Sequence, residues 1–229
     1  MFFKGIQKNS FIDYPNNISI VLFTGGCNFK CPYCHNGHLV RNEGDDITED
    51  EIISFLEKRK ELINHLVISG GEPTLHEGLP CFIRKAKEMN LNIKLDTNGT
   101  NPKMIAYLID NKLIDYVAMD IKNTFVKYSK ITLNDTIALD KITRSISIIA
   151  DAKRQGIIDA EFRTTVCEPL LTKQDIVIIA NTLNDLGVKY YIQNYTKSEN
   201  VLGNVADLKP FDNEVLKVIS ANFDFIVIR

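Results

Sequence analysis

The sequence predicts an α/β fold, with a mostly parallel sheet covered by helices and arranged as a partial (β/α)6 barrel. Three observations carry this. Short β-branched runs and longer amphipathic stretches alternate along the chain. No Gly/Ser linker or low-complexity segment interrupts them. At 229 residues, about six βα units fit, whereas a closed eight-unit barrel takes ~250. A doubly wound open sheet is the rival, and periodicity alone does not separate the two. One domain over residues 1–229 is expected, with a core over about 16–195 and a C-terminal extension over about 196–229.

The elements follow in order. Ile18 to Thr24 is a buried strand that runs into Gly25-Gly26 and a cysteine-rich loop. Thr48 opens a helix and forms a capping box with Glu51. Ile52, Ile53, Phe55, Leu56 and Leu62 supply its apolar face. Leu66 to Ser69 is a strand ending at Gly70-Gly71-Glu72-Pro73, and a helix follows over about Leu79 to Met89. Asn92 to Leu95 is a strand ending at Asp96-Thr97-Asn98-Gly99. Asn101 then caps a helix that has Pro102 at its first position. Tyr116 to Ile121 is a strand. A long helix covers about Thr136 to Arg154 and stops at Gly156. Glu161 to Val166 is a strand, Thr172 caps a helix ending at Gly187, and Tyr190 to Gln193 is a strand. Asn213 to Ser220 and Phe225 to Ile228 add one more helix and strand. Polar and glycine-rich clusters fall where strands end, which is where α/β folds keep their active sites.

Composition narrows the function. Hydrophobic residues make up 45% and charged residues 24%, so a full core is expected and disorder is not. The net charge of −2 gives no electrostatic footprint for nucleic acid or an anionic membrane. No apolar run reaches the ~20 residues of a membrane span. Met1 to Pro15 carries Lys4, Lys8 and Asp13 without an apolar export core. A cytoplasmic location is expected, where five cysteines are thiols or metal ligands rather than disulfides.

Three of them, Cys27, Cys31 and Cys34, lie in one short loop. Four chemistries compete for it. Structural zinc takes four ligands, and His35 or His38 could complete the set. Cys31 to His35 matches the C-x-x-C-H of c-type haem attachment, which in most settings needs export. Cys31 and Cys34 form a thioredoxin-like C-x-x-C that leaves Cys27 unexplained. An iron–sulfur cluster with three thiolates would keep one iron open for a ligand. Cys81, in a helical apolar pattern, reads as core, and Cys167, after a strand, reads as packing. His65 and His76 also read as structural.

The C-x3-C-x2-C spacing at the end of the first strand resembles the signature of the radical S-adenosylmethionine (SAM) superfamily. That resemblance implies a partial (β/α)6 barrel of the radical SAM type and a [4Fe–4S] cluster held by Cys27, Cys31 and Cys34. It implies SAM chelating the open iron and reductive cleavage of SAM to a 5′-deoxyadenosyl radical. Gly70-Gly71-Glu72-Pro73 resembles the motif that binds the SAM amino group, and Tyr33 stands where the family has an aromatic residue near the adenine. Asp96-Thr97-Asn98 and Asp120-Ile121-Lys122 resemble segments of glycyl-radical-enzyme activating enzymes. There, residues matching Asp96, Thr97 and Asp120 hold a monovalent cation beside the SAM carboxylate, with the counterpart of Lys122 nearby. A plain salt bridge between Lys122 and an acid is the bland alternative. Arg163 and Gln193, near later strand ends, are further candidate SAM contacts.

Gly5-Ile6-Gln7-Lys8, Ile12 to Pro15 and Cys34-His35-Asn36 narrow the resemblance to the anaerobic ribonucleoside-triphosphate reductase activating protein family. That implies an oxidoreductase whose partner is the glycyl radical subunit of that reductase, with flavodoxin or ferredoxin as electron donor. Two other readings stay open at this point. One is a radical SAM enzyme acting on another glycyl radical enzyme, such as pyruvate formate-lyase, or on a small molecule. The other is a zinc-binding structural module.

Overall fold

Runs of Ile, Val and Leu long enough to cross a sheet become strands, and the amphipathic stretches between them become the covering helices. The structure, a computed structural model, describes residues 1–136, 139–197, 201–203 and 207–229. It opens with β1 (Phe2–Phe3), β2 (Gly5–Tyr14), β3 (Asn17–Thr24), α1 (Gly37–Val40), β4 (Ile47–Thr48) and α2 (Glu49–Glu57). Next come β5 (His65–Gly70), α3 (Leu79–Glu88), β6 (Asn92–Thr97), α4 (Pro102–Asp110) and β7 (Tyr116–Asp120). Then follow α5 (Tyr128–Thr132), α6 (Leu139–Arg154), β8 (Asp159–Val166), α7 (Lys173–Leu183), β9 (Lys189–Asn194), α8 (Asn213–Ser220) and β10 (Ile226–Ile228). Short 3-10 turns occupy Pro73–Leu75 and Phe125–Lys127.

The main sheet has eight strands in the order β10-β9-β8-β7-β6-β5-β3-β2 and does not close. All pairings from β3 to β10 are parallel, and β2 lies antiparallel to β3 at one edge. Each crossover moves one place in the same direction. A doubly wound sheet would reverse at a switch point, so the strand order selects the partial barrel. The β2 strand lies in a stretch for which the sequence predicts no element. Phe11 and Ile12 are exposed on it, which erases the alternation that marks a half-buried strand.

Several expected boundaries shift for physical reasons. The capping box Thr48–Glu51 forms, but α2 ends at Glu57, so Leu62 falls in the following turn and stays exposed. The α7 helix begins at its Thr172–Asp175 box and stops at Leu183 rather than Gly187, because Asn184 turns extended and Asp185 adopts a positive φ. For α6, the described helix starts at Leu139; residues 137 and 138 of the expected helix lie outside the described residues, as do 198–200 and 204–206 of the expected extension. Cys81 is not core. The buried stripe of α3 is Leu79, Phe82, Ile83 and Ala86, at helical spacing, and Cys81 lies off it and is exposed. Among the described residues, no helix is long and apolar enough to cross a membrane.

The core lies between sheet and helices. Strand residues alternate faces, so Ile20, Leu22, Leu66, Ile68, Ile93, Leu95, Val117, Met119, Phe162 and Ile192 join the helices in one cluster. The opposite face carries a smaller apolar group of Tyr14, Val21, Val67, Tyr116 and Ala118 and, toward the strand ends, the polar residues of the site.

Candidate active site

Strand parity brings the site together. In Ile93-Lys94-Leu95-Asp96 the apolar residues face the helices, so Lys94 and Asp96 share the other face. The same parity sends Ser69, Asp120, Arg163, Thr165 and Gln193 to that face at the C-terminal ends of their strands. There they line one pocket of about 290 Å³ with the cysteine loop.

The loop is fixed to the sheet by backbone. The Gly71 N–H donates to Thr24 O (2.9 Å), and the Glu72 N–H donates to Gly26 O (2.8 Å). A Cβ at Gly71 would lie 1.9 Å from the Gly26 carbonyl oxygen, so only glycine allows this approach. On its far side, the Lys30 N–H donates to Thr132 O. Residues 201–203 cover the loop: the Leu202 and Gly203 N–H groups donate to Cys34 O (2.8 Å) and Pro32 O (3.0 Å).

Cys27, Cys31 and Cys34 are all free thiols on the pocket wall. The Cys27 sulfur accepts from the Phe29 N–H (3.4 Å) and faces the Asn98 side-chain amide (3.9 Å). Burial pushes the Cys27 thiol up to about 12 and the Cys31 thiol up to about 11, against the pull of the Lys122 charge. Among the described residues, no three His, Cys, Asp or Glu side chains gather around one ion-sized point.

Glu72 is fully buried. Its Oε1 accepts from the Thr74 N–H (3.1 Å), the Thr74 hydroxyl and the Thr97 hydroxyl (2.7 Å), and its Oε2 accepts from the Asn98 N–H (2.6 Å). Burial raises its pKa despite these four donors.

Asp96 and Asp120 are held differently. Asp96 Oδ1 takes Lys94 Nζ (2.6 Å), and its Oδ2 takes the Ser69 hydroxyl (3.1 Å) and faces Arg163 Nη1 (3.4 Å). Asp120 Oδ1 takes Arg163 Nε (2.8 Å) and Oδ2 takes Lys122 Nζ (2.9 Å). Asp120 and Arg163 are register partners across β7 and β8, which puts them on one face. Burial by itself would raise both aspartates, but the Arg163 charge, with Lys94 or Lys122, holds them below the usual carboxylate range. Glu161 extends the row, ion-paired to Arg229 (3.1 Å) and accepting from the Tyr116 hydroxyl (3.0 Å).

Every residue singled out from the sequence as a cluster or SAM contact lines the pocket except Pro73, which is buried in the 3-10 turn beside it; His38, offered as a zinc ligand, does not line it. Sequence reasoning gave no role in the site to the lining residues Phe29, Asn36, Val40, Ser69 and Thr165 or to the supporting charges Lys94 and Glu161, and it offered His35 only as a zinc ligand. A charged residue at the centre of an apolar alternation, as in Ile93-Lys94-Leu95, was the available signal. His65 packs on the Tyr14 ring (4.5 Å), and His76 Nε2 lies 2.9 Å from Gly25 O, both structural contacts.

The chain matches the family model described as "Radical SAM superfamily" over residues 21–189. It is 37% identical to "Putative glycyl-radical enzyme activating enzyme" of Methanocaldococcus jannaschii, over 96% of this chain and 98% of that protein. A second protein of that name and organism is 28% identical, over 86% of this chain and 74% of its own length. Among solved structures, Streptococcus suis SuiB bound to S-adenosylmethionine superposes with a TM-score of 0.67 at 12% identity, over 91% of this chain and 51% of SuiB. The chain thus spans about half of SuiB. Methylornithine synthase (PylB) superposes with a TM-score of 0.64 at 15% identity, over 92% of this chain and 63% of that chain. At these identities the likeness shows the fold.

The chain belongs to the radical SAM superfamily, which implies a [4Fe–4S] cluster and SAM, and it is a radical SAM enzyme homologous to those activating-enzyme relatives. The residues present fit both groups. Three unpaired thiols face one pocket without converging on a single ion. Tyr33, also on the pocket wall, keeps its hydroxyl buried beside Cys31.

Proposed function

We propose that this radical SAM enzyme places a glycyl radical on a protein partner, the anaerobic ribonucleoside-triphosphate reductase. The observation that carries the reading is the juxtaposition, in one pocket, of the Cys27–Cys34 thiols, the Gly70–Glu72 turn and the row Asp96, Arg163, Asp120 and Lys122. The full-length likeness to activating enzymes supports a protein substrate.

Cys27, Cys31 and Cys34 would hold the cluster and leave one iron open. Bound together, cluster and SAM supply one-electron reduction of a sulfonium and, from it, hydrogen-atom abstraction. The chain's residues orient and enclose. Gly70 and Gly71, whose missing side chains let the turn close on Thr24 and Gly26, would present that turn to the ammonium group of SAM. Glu72 Oε2 accepts from one donor and keeps a lone pair for that ammonium. Lys122 and Arg163 offer positive charge to the carboxylate, and Asn98 and Thr97 are held in place by Glu72. Tyr33 lines the pocket where the adenine would lie, and Gln193 lines the opposite strand end. We read residues 1–229 as one domain, core about 16–195, whose extension returns to the sheet as β10. A cytoplasmic location and flavodoxin or ferredoxin as electron donor complete the reading.

The test is electron paramagnetic resonance on an anaerobic mixture of the reconstituted, reduced protein, SAM and the reductase, with released 5′-deoxyadenosine assayed in the same tube. A glycyl radical doublet with deoxyadenosine is expected. Deoxyadenosine without the doublet would move the substrate to another glycyl radical enzyme, such as pyruvate formate-lyase, or to a small molecule. Neither signal from a protein carrying a full cluster would overturn the reading.

A further inference from the structure

In the activating enzymes that the sequence resembles, the matching aspartates hold a monovalent metal cation, so the Asp96–Asp120 pair raises a direct question of what balances its charge here. We infer that the guanidinium of Arg163 is the built-in cation of the Asp96–Asp120 pair, and that this enzyme binds SAM without a monovalent metal ion at that position. The inference rests on the radical SAM reading for the identity of the ligand. The occupancy of the aspartates stands on the geometry alone.

All four carboxylate oxygens of the pair face a cationic or hydroxyl donor, which an alkali cation would have to crowd or displace. Lys94 Nζ holds Asp96 Oδ1 at 2.6 Å, and the Ser69 hydroxyl and Arg163 Nη1 face Asp96 Oδ2 at 3.1 and 3.4 Å. Arg163 Nε holds Asp120 Oδ1 at 2.8 Å, and Lys122 Nζ holds Asp120 Oδ2 at 2.9 Å. The guanidinium spans both acids through two of its nitrogens. A planar fork does this and a point charge does not.

Charge gives the same answer. Around the two aspartates stand three cations, Lys94, Arg163 and Lys122. Glu161 comes within 3.9 Å of Arg163 but is already matched by Arg229 at 3.1 Å. The local sum over the two aspartates and three cations is therefore +1. Lys94 is 2% exposed, Asp96 and Arg163 12% each and Lys122 16%, so water screens this excess weakly. A carboxylate arriving from the ligand brings the sum to zero. A further metal cation would raise it to +2 and place like charge beside Arg163. Beside Arg163 the pair and its three cations therefore favour an anionic group over a small cation.

The experiment is equilibrium dialysis of the full, cluster-loaded chain against radioactive rubidium ion, with and without SAM, alongside the SAM dissociation constant. That constant is measured at one ionic strength in potassium and in tetramethylammonium, which is too large for such a site. The wild type is expected to take up no stoichiometric rubidium below 10 mM (an order-of-magnitude ceiling set for the assay, about a tenth of physiological ionic strength). Its SAM affinity should differ less than about twofold between the two salts, under half a kcal/mol. Arg163→Met, which empties the fork, should gain about one rubidium per chain, while Arg163→Lys, which keeps the charge, should not. One rubidium per wild-type chain, lost in Asp120→Asn, would overturn the inference. So would a tenfold or greater weakening of SAM binding in tetramethylammonium. Folding of each variant is checked by circular dichroism, and the wild-type result decides the matter if Arg163→Met does not fold. A fully loaded chain that binds no SAM in either salt would sink the enzymatic reading instead, because the rubidium result is read without SAM.

Discussion

Glu72 and the Asp96–Asp120 pair line the same pocket, yet the chain holds them by opposite means. Among the described residues Glu72 has no cation as a hydrogen-bond partner; hydroxyls and backbone N–H groups hold it, and burial raises its pKa. The aspartates sit among Lys94, Arg163 and Lys122, and their pKa values are lowered. The first arrangement fixes shape. Through Thr74, Thr97 and Asn98 one carboxylate ties the end of β5 to the end of β6. The second fixes charge, leaving a local excess of one positive charge for an anionic ligand. Neutral donors carry no net charge from which such an excess could come, and a row of lysines alone would not fix a loop.

Both carboxylate groups face the pocket a ligand would occupy, and the largest expected effect comes from removing a group that would anchor that ligand. Cys34→Ala should abolish SAM cleavage, read as 5′-deoxyadenosine released under reduction. Retained cleavage with an intact cluster would break the ligand assignment and, with it, the reason for contrasting the two carboxylate groups.

Next in size is Asp96→Asn. It keeps the acceptor for Ser69 but leaves Lys94 and Arg163 facing a neutral partner. Breaking a buried ion pair on one side costs on the order of 3 kcal/mol, measurable by urea unfolding of the whole chain. The pH dependence carries the sign. Asp96 has a lowered pKa in the folded state, so its contribution is present above its unfolded value of about 4 and is lost as pH falls through the folded value. The stability gap between wild type and Asp96→Asn should be flat from about pH 8 to 5 and shrink below.

Glu72→Gln should cost less, about 1–2 kcal/mol near neutral pH, because a Gln oxygen still serves Thr74 and Thr97 while its amide nitrogen confronts the Asn98 N–H. Its pH slope should be the reverse. Glu72 has a raised folded pKa, so its contribution is complete below its unfolded value of about 4 and is lost as pH rises through the folded value. The gap between wild type and Glu72→Gln should therefore widen as pH falls from about 8 toward 4. Slopes of the same sign for the two variants would show that the groups are held alike and dissolve the distinction.

How much of this was legible beforehand depended on the kind of order involved. The cysteine loop, the Gly70–Glu72 turn and the ends of β6 and β7 stand at strand termini, where glycine and polar residues interrupt apolar runs, so spacing located them. What Glu72 contacts was not legible. Its partners Thr97 and Asn98 come from another strand, and only the β5–β6 register brings them to it. Lys94 and Glu161 were passed over because a charge inside a strand reads as an interruption of the pattern until its opposite number is known. The β2 strand escaped for a related reason, since an edge strand with Phe11 and Ile12 in solvent carries no periodic mark. Cys81 misled because any residue within a helical apolar run resembles core until its angle around the axis is set.

A third means of holding the pocket, neither neutral hydrogen bonds to one acid nor ion pairs, gives the smallest expected effect. Residues 201–203 lie against the cysteine loop through backbone hydrogen bonds, with Leu202 and Gly203 donating to Cys34 O and Pro32 O, and Val201 packs on the adjoining core. A Cβ at Gly203 would lie 2.8 Å from the Pro32 Cα and Cβ, atoms that cannot rotate away, so Gly203→Ala must lift the segment off the loop by a few tenths of an ångström. Neither carboxylate group is touched. The cost should be on the order of 1 kcal/mol, at the low end for overpacking. It should appear locally, as amide hydrogen exchange about fivefold faster over residues 31–36. The pH slopes assigned to Asp96 and Glu72 should not move. Unchanged exchange in that loop would mean that residues 201–203 rest on it without restraining it. An altered slope would mean that the loop, and not the carboxylates' own partners, sets the charge states on which the contrast depends.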